Sequence, residues 1–308
     1  MRDFAACFSE NAVQVSEVSC SPHISSPSRS PSPSIQNMVT CFYLTEICGQ
    51  PRLVAVSWCK NLMGQGLSVN LDDDPSSSHC ACKVDMRSWF FWKKRGSKAF
   101  EAGSSTIEVH WDLFSAKYGP GPEPIKGFFV AVVADRRLVL LLGDMPEEAR
   151  SRTNSAGSLP DPVLVSRKEH VSGKSLYTTK AQFTGCGRPH DIVIECRDQI
   201  GEFREPRLSV RIDKKMVVHV KRLLWKFRGN QTIVVDGLHV DMLWDVHDWF
   251  FNPSSGHAVF MFKTRENNCK SWTSASSPSS SSACIVSKLR HEEPESSFSL
   301  FIYAWKNQ

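Results

Sequence analysis

From about residue 38 onward, apolar side chains alternate with polar ones or gather into short blocks rich in Val, Ile, Phe and Trp, each bounded by Gly, Pro, Asp or Asn. That is the two-residue period of half-buried strands, and the 3.6-residue period of helices is scarce. In the first half the pattern predicts strands over 38–45, 53–58, 67–70, 83–86, 99–101, 106–113, 128–133 and 138–142. In the second half it predicts them over 163–166, 175–183, 191–196, 208–212, 217–220, 232–235, 239–243, 257–262 and 298–304.

The two halves carry the same landmarks in the same order, which points to an internal duplication. Trp92-Lys93-Lys94-Arg95-Gly96 matches Trp225-Lys226-Phe227-Arg228-Gly229, and nineteen residues after each Trp comes a Trp-Asp, at Trp111 and Trp244. Parity is kept between them: Ile107 and Val109 precede Trp111 by four and two residues, as Val240 and Met242 precede Trp244. Residues at that spacing share one strand face. Cys48-Gly49-Gln50-Pro51 likewise answers Cys186-Gly187-Arg188-Pro189, and Gly127 to Val132 answers Gly256 to Met261.

The fold expected is mainly β: two tandem, diverged antiparallel β-sandwich or barrel-like units, 37–144 and 174–306, joined by 145–173, with 163–166 covering a sheet edge. One larger sandwich with a sheet from each copy is the alternative. Asp236-Gly237 is a hairpin signal. Residues 1–36 are a Ser/Pro-rich tail and about 266–297 a Ser-rich insert; both lack the apolar side chains to offset ordering entropy and are expected to be disordered. Residues 119–124 and 150–161 are expected as shorter loops.

Composition narrows the class. Thirty-seven basic against 32 acidic residues favour anionic partners without the basicity of a dedicated nucleic-acid binder. Nucleic acid is one such partner, with weak support. Eleven scattered cysteines and the absence of a secretory signal point to reduced thiols in an intracellular, cytoplasmic or nuclear protein. No apolar run approaches the roughly 20 residues of a membrane-spanning helix.

The runs Met1-Arg2-Asp3-Phe4-Ala5, Trp58 to Leu67, Trp89 to Lys94, Leu141 to Met145, Val165 to His170 and Trp225 to Gln231 resemble the plant domain-of-unknown-function family 868 across nearly the whole chain. The resemblance implies a plant origin and carries no established activity.

Several motifs could carry chemistry. Trp92, Lys93 and Arg95, with Trp225, Lys226 and Arg228, could stack a ring and hold an anion; a core Trp ending a strand, solvated cations and a turning Gly would give the same strings. Lys214, Lys215, Lys221 and Arg222 would widen a basic strip. Asp112, Asp245 and His247 would be the acid–base groups of an enzyme, but an Asp capping the turn after each strand accounts for both carboxylates. His79-Cys80-Ala81-Cys82 lacks the fourth ligand of a structural zinc site, so no metal is expected. No cofactor fingerprint is present. Cys48, Cys59, Cys186 and Cys196 are expected as buried free thiols. Ser21, Ser26, Ser30 and Ser32 each precede proline and are candidate phosphorylation sites.

These features point to a non-catalytic intracellular binding or interaction protein with a mildly basic aromatic surface, whose partner is an anionic ligand or another protein. Two alternatives stand beside it: an enzyme acting on a sugar-like or phosphorylated substrate, and a phosphorylation-regulated scaffold.

Overall fold

The computed structural model describes residues 34–61, 64–71, 82–87, 94–102, 105–155, 160, 162–184, 187–197, 205–252, 256–265 and 297–306. The first half contributes β1 (Ile35–Ile47), β2 (Gln50–Asn61), β3 (Gly64–Leu71), β4 (Cys82–Arg87), β5 (Arg95–Ala102), β6 (Ser105–Asp112), β7 (Lys117–Tyr118), β8 (Pro124–Lys126), β9 (Phe129–Ala134) and β10 (Arg137–Gly143). After α1 (Pro146–Thr153) come β11 (Val163–Gly173), β12 (Leu176–Ala181), β13 (His190–Arg197), β14 (Arg207–Ile212), β15 (Lys215–Val220), β16 (Arg228–Val235), β17 (Leu238–Asp245), α2 (His247–Phe251), β18 (His257–Thr264) and β19 (Ser299–Lys306). Residues 1–33 of the tail, 266–296 of the Ser-rich insert, His79 to Ala81 and the four phosphorylation candidates lie outside the described residues, whereas Ile35 and Gln36, expected within the disordered tail, begin β1 and pair with β11.

One sheet of nine strands runs through both halves in the order β16-β17-β18-β19-β11-β1-β2-β3-β4. Two sheets of four, β10-β9-β6-β5 and β12-β13-β14-β15, accompany it, and none of the sheets closes into a barrel. Each four-stranded sheet shares a core with its own end of the large sheet. Val54, Val56, Trp58, Leu67 and Val69 pack with Ile107, Val109, Trp111, Val132 and Leu140. In the second half Ile192, Ile194, Val210 and Val218 pack with Val240, Met242, Phe260, Leu300 and Ile302. Each half therefore supplies both layers of its own sandwich, and the large sheet is shared between the two rather than one sheet coming from each half.

Strand β11 makes the join. It pairs antiparallel with β1 and parallel with β19, so it covers the edge of both sets of strands at once. Its sequence is polar through Ser166 to His170, and it extends seven residues beyond the strand expected at 163–166. Turn chemistry sets the hairpins: Cys48-Gly49, Asp135-Arg136, Asp213-Lys214 and Asp236-Gly237 all have positive φ at both positions, the two-residue geometry whose twist matches the flanking strands.

Strand β9 is buried along its whole length, because Phe129 and Ala131 pack under Ala149 of α1 while Val130 and Val132 face the core. Two covered faces explain its unbroken apolar run. Helix α1 occupies part of the expected loop at 150–161; Pro146 in its first turn, Glu147 and Glu148 beside it and Arg150 and Arg152 at its end satisfy the helix dipole over only eight residues. The other expected loop, 119–124, is the connection between β7 and β8, which pair across it.

The outer face of the large sheet carries a ladder of rings. His257 stacks on Trp305 at 5.0 Å and Trp305 on His170 at 5.1 Å, with Tyr303 beside them. Burial, aided by the nearby His257 and Lys168, pushes the His170 imidazole down to about 4; burial lowers His257 as well. The folded chain thus binds these protons less readily than the unfolded chain. Stability is complete above the ordinary value of 6.5 and falls as pH drops toward about 4. Allowing for the solvent contact the His170 ring retains, the loss is on the order of 1–2 kcal/mol. Thermal unfolding compared at about pH 7 and about pH 4.5 should show a smaller decrease for His170→Phe, which keeps a ring without the titrating group.

Candidate functional site

The paired Trp-Lys-x-Arg-Gly and Trp-Asp strings fold into two similar hairpins. Pairing of β5 with β6 sets Arg95 opposite Asp112 and Gly96 opposite Trp111; pairing of β16 with β17 sets Arg228 opposite Asp245 and Gly229 opposite Trp244. Both glycines lie within strands and not at turns. A Cβ on Gly96 would come within 2.7 Å of the Trp111 ring, and one on Gly229 within 2.3 Å of the Trp244 ring. The absent side chain is what lets each indole lie flat across the neighbouring strand.

Both arginines are engaged by the matching aspartates. Arg95 Nε lies 2.9 Å from Asp112 Oδ2 and Arg228 Nε lies 2.7 Å from Asp245 Oδ2. The other carboxylate oxygen accepts a backbone N–H two residues on, from Phe114 and His247 respectively, each at 3.0 Å. The aspartates therefore cap the turn after each strand, as their turn preference suggests. Asp112 is almost fully buried, whereas Asp245 and His247 are half-buried, with His247 Nδ1 2.8 Å from Asp248 Oδ1.

Trp92 and Lys93 lie outside the described residues, but their counterparts are placed. Trp225 is 86% exposed, which overturns the reading of it as a core residue ending a strand. It sits in a tight turn between β15 and β16, where the Trp225 and Lys226 N–H groups donate to the Arg222 carbonyl at 2.9 and 3.2 Å. Leu223 is fully buried, and its N–H donates to the Pro206 carbonyl at 3.0 Å, so the turn is anchored from below. The Lys226 carbonyl accepts the Trp244 indole N–H at 3.0 Å. With Leu223 directed inward, Leu224 and Trp225 are held outward.

Around this tip the 221–228 segment holds four cations and no acid: Lys221, Arg222, Lys226 and Arg228. Arg222 pairs with Glu205 at 3.5 Å and Arg228 with Asp245. Lys221 and Lys226 are exposed. The Phe227 ring lies 5.2 Å from His247 and 6.2 Å from Phe251, and Phe251 is 57% exposed. Helix α2 thereby brings Phe251 beside the loop. Strand alternation could not reveal Leu224 and Phe251 as surface residues; the one signal was the Leu223-Leu224-Trp225 run, which no alternating strand accommodates. Lys214 and Lys215 belong to the turn at the other end of β15, so no single basic strip joins them to Lys221 and Arg222.

Two other clusters stand apart from this tip. A cleft of about 750 Å³ between the β1–β2 and β9–β10 turns is lined by Ile47, Cys48, Asp135, Arg137, Leu138 and Arg150 among others. Cys48 is exposed rather than buried, with its sulfur 2.9 Å from Asp135 Oδ2 and 2.7 Å from Ser105 Oγ. Hydrogen bonds from Cys48 and from the Thr106 N–H hold the Asp135 carboxyl below its usual range. Cys59 is half-buried, Cys196 is buried, and Cys186 lies outside the described residues. At the far end of the second sandwich, nearly buried His190 bridges Asp213 at 2.7 Å and Asp236 at 3.3 Å, tying two hairpin turns together. Among the described residues no three His, Cys, Asp or Glu side chains are grouped to hold a metal ion. None of the described helices is long and apolar enough to cross a membrane.

A family model described as a plant protein of unknown function, DUF868, matches residues 34–306. No curated protein and no solved structure matches the chain.

Proposed function

The chain belongs to the DUF868 family of plant proteins of unknown function, and for it we propose a non-catalytic binding role in which the tip formed by residues 221–228 and α2 captures an anionic partner. The observation that carries this reading is Trp225: a large aromatic side chain, 86% exposed, held outward by a hydrogen-bonded turn between two exposed lysines. Leaving this apolar ring surface in water is unfavourable, and a partner that covers it recovers that free energy. Arg95 and Arg228 hold the hairpins together through Asp112 and Asp245, so the anion contacts fall to Lys221 and Lys226 instead.

The same reading treats the two sandwiches as diverged tandem copies over 37–144 and 174–306. The matched Arg–Asp pairs, capped turns and Gly–Trp approaches in the two hairpins support it. An intracellular location, cytoplasmic or nuclear, accords with the free Cys41, Cys48, Cys59 and Cys196. The enzymatic alternative through Asp245 and His247 draws less support, since these half-buried residues do not line the Cys48 cleft.

The test is binding of the full chain to an RNA oligonucleotide, a sulfated oligosaccharide and phosphatidylserine vesicles across a salt series. At least one should bind with an affinity that falls as salt rises. Trp225→Ala and the pair Lys221→Glu/Lys226→Glu should each weaken that binding about tenfold or more while leaving the unfolding temperature unchanged. Absence of binding to all three, or undiminished binding by the variants, would remove the proposal.

A further inference from the structure

Building on that binding role, we infer that the partner of the Trp225 tip is the surface of an anionic lipid bilayer. The shape of the tip argues first. Trp225, 86% exposed, stacks on no other ring among the described residues, so none of these sandwiches a base or sugar against it; a soft medium that closes around the side chain can cover it.

The chemistry argues second. The outward side chains at the tip are Leu224, Trp225 and, on the neighbouring helix, Phe251, with the Phe227 ring joining the two elements. Aliphatic and aromatic groups of this kind settle at the boundary between headgroups and acyl chains, the indole N–H facing the polar side. Among the described residues the charged groups around them are Arg222 paired with Glu205, Arg228 paired with Asp245, Asp248 beside His247, and Lys221 and Lys226, which are left to meet headgroup phosphates and carboxylates. Two such lysines add usefully to an apolar anchor at an anionic leaflet. They are too few to hold a nucleic acid, where phosphate contacts must supply most of the affinity.

The anchor is also rigid where it must be. Leu223 and the Arg222 carbonyl fix the turn before any contact is made, and Trp249, fully buried beneath α2, fixes the helix that presents Phe251. Little ordering entropy therefore opposes insertion.

The experiment is co-flotation of the full chain with vesicles of phosphatidylcholine alone and of phosphatidylcholine containing phosphatidylserine, at low and high salt. Binding should require phosphatidylserine and weaken at high salt. Trp225→Ala should lower partitioning at least about tenfold, as should Lys221→Glu/Lys226→Glu. Val234→Ser should change nothing, because Val234 is an exposed apolar residue away from the tip. Brominated acyl chains should quench tryptophan fluorescence in the wild type and lose that quenching in Trp225→Phe. Absence of vesicle binding, with RNA or sulfated oligosaccharide bound and lost in the same variants, would overturn the bilayer inference and leave the anionic-partner role standing. Binding to none of these probes would overturn both. Equal binding to phosphatidylcholine alone would overturn the requirement for anionic lipid.

Discussion

Arg167→Ala is expected to lower the unfolding free energy by about 3–5 kcal/mol, the range for removing one partner of a buried ion pair. Arg167 projects inward from β11 with little solvent contact, and its guanidinium is shared between two carboxylates. Nε donates to Glu169 Oε1 at 2.6 Å, Nη1 donates to Glu123 Oε1 at 2.8 Å, and Nη2 pairs with the second Glu123 oxygen. Nη1 also reaches the sulfur of Cys41 at 3.3 Å on the facing strand.

Glu169 is fully buried, and its Oε2 has no hydrogen-bond partner. Without Arg167 a carboxylate would remain in apolar surroundings with nothing to balance it. The same surroundings already push the Cys41 thiol up to about 11, burial being the largest cause. The unfolding temperature should fall by about 10 °C in a chain of this size. Combining Arg167→Met with Glu169→Gln should recover a good part of that loss, because the penalty comes from the orphaned charge rather than from the lost pair. Urea titrations of the single and double variants measure both effects, and a single variant as stable as the wild type would refute the account.

Trp249→Ala should cost a similar amount, about 3–5 kcal/mol, for a different reason. Trp249 is among the largest fully buried side chains, and α2 has only five residues, so this is the helix's main anchor, with half-buried Phe250 packed beside it. Its indole N–H donates to the Tyr177 hydroxyl at 3.0 Å, and Lys306 Nζ lies 4.4 Å above its ring. The Tyr177 hydroxyl in turn approaches the Gly173 and Trp305 carbonyls at 3.3 and 3.4 Å, so one side chain links α2 to β11 and β19. Truncation leaves a cavity and strips the Tyr177 hydroxyl of its donor. Trp249→Phe should lose roughly 1–2 kcal/mol, separating the hydrogen bond and residual volume from the full cavity. Because α2 presents Phe251, Trp249→Ala should also weaken vesicle binding at temperatures where the rest of the chain stays folded. Retained binding would show that Phe251 contributes little to the tip.

The strand pattern and the inward parity were legible in the sequence because both depend on neighbours two residues apart. Ile107, Val109 and Trp111, like Val240, Met242 and Trp244, lie in their cores as the alternation required. The Asp236-Gly237 turn announced itself for a similar reason: positive φ favours those residue types locally. Helix α1 was less visible, since eight residues with one buried side chain leave almost no periodic signal.

What the tertiary structure alone decided lies where partners are far apart along the chain. The Ser166 to His170 run is polar enough to resemble a connection, yet it forms the strand that joins the two sandwiches. It can do so because Glu123, distant in sequence, arrives to balance Arg167. The Gly of each Arg-Gly pair resembles a turn residue until the opposing indole is placed across it. Trp225 resembles a core residue until Leu223 takes the inward position and turns the next two side chains toward solvent. Alternation, composition and turn propensity are local and determined which segments form strands and which faces they bury, although β1, β2, β3, β5 and β16 begin three or four residues before the positions expected. Pairing of buried charge, close approach of strands and exposure of a tip depend on long-range contacts, and those form only once the sheets have packed.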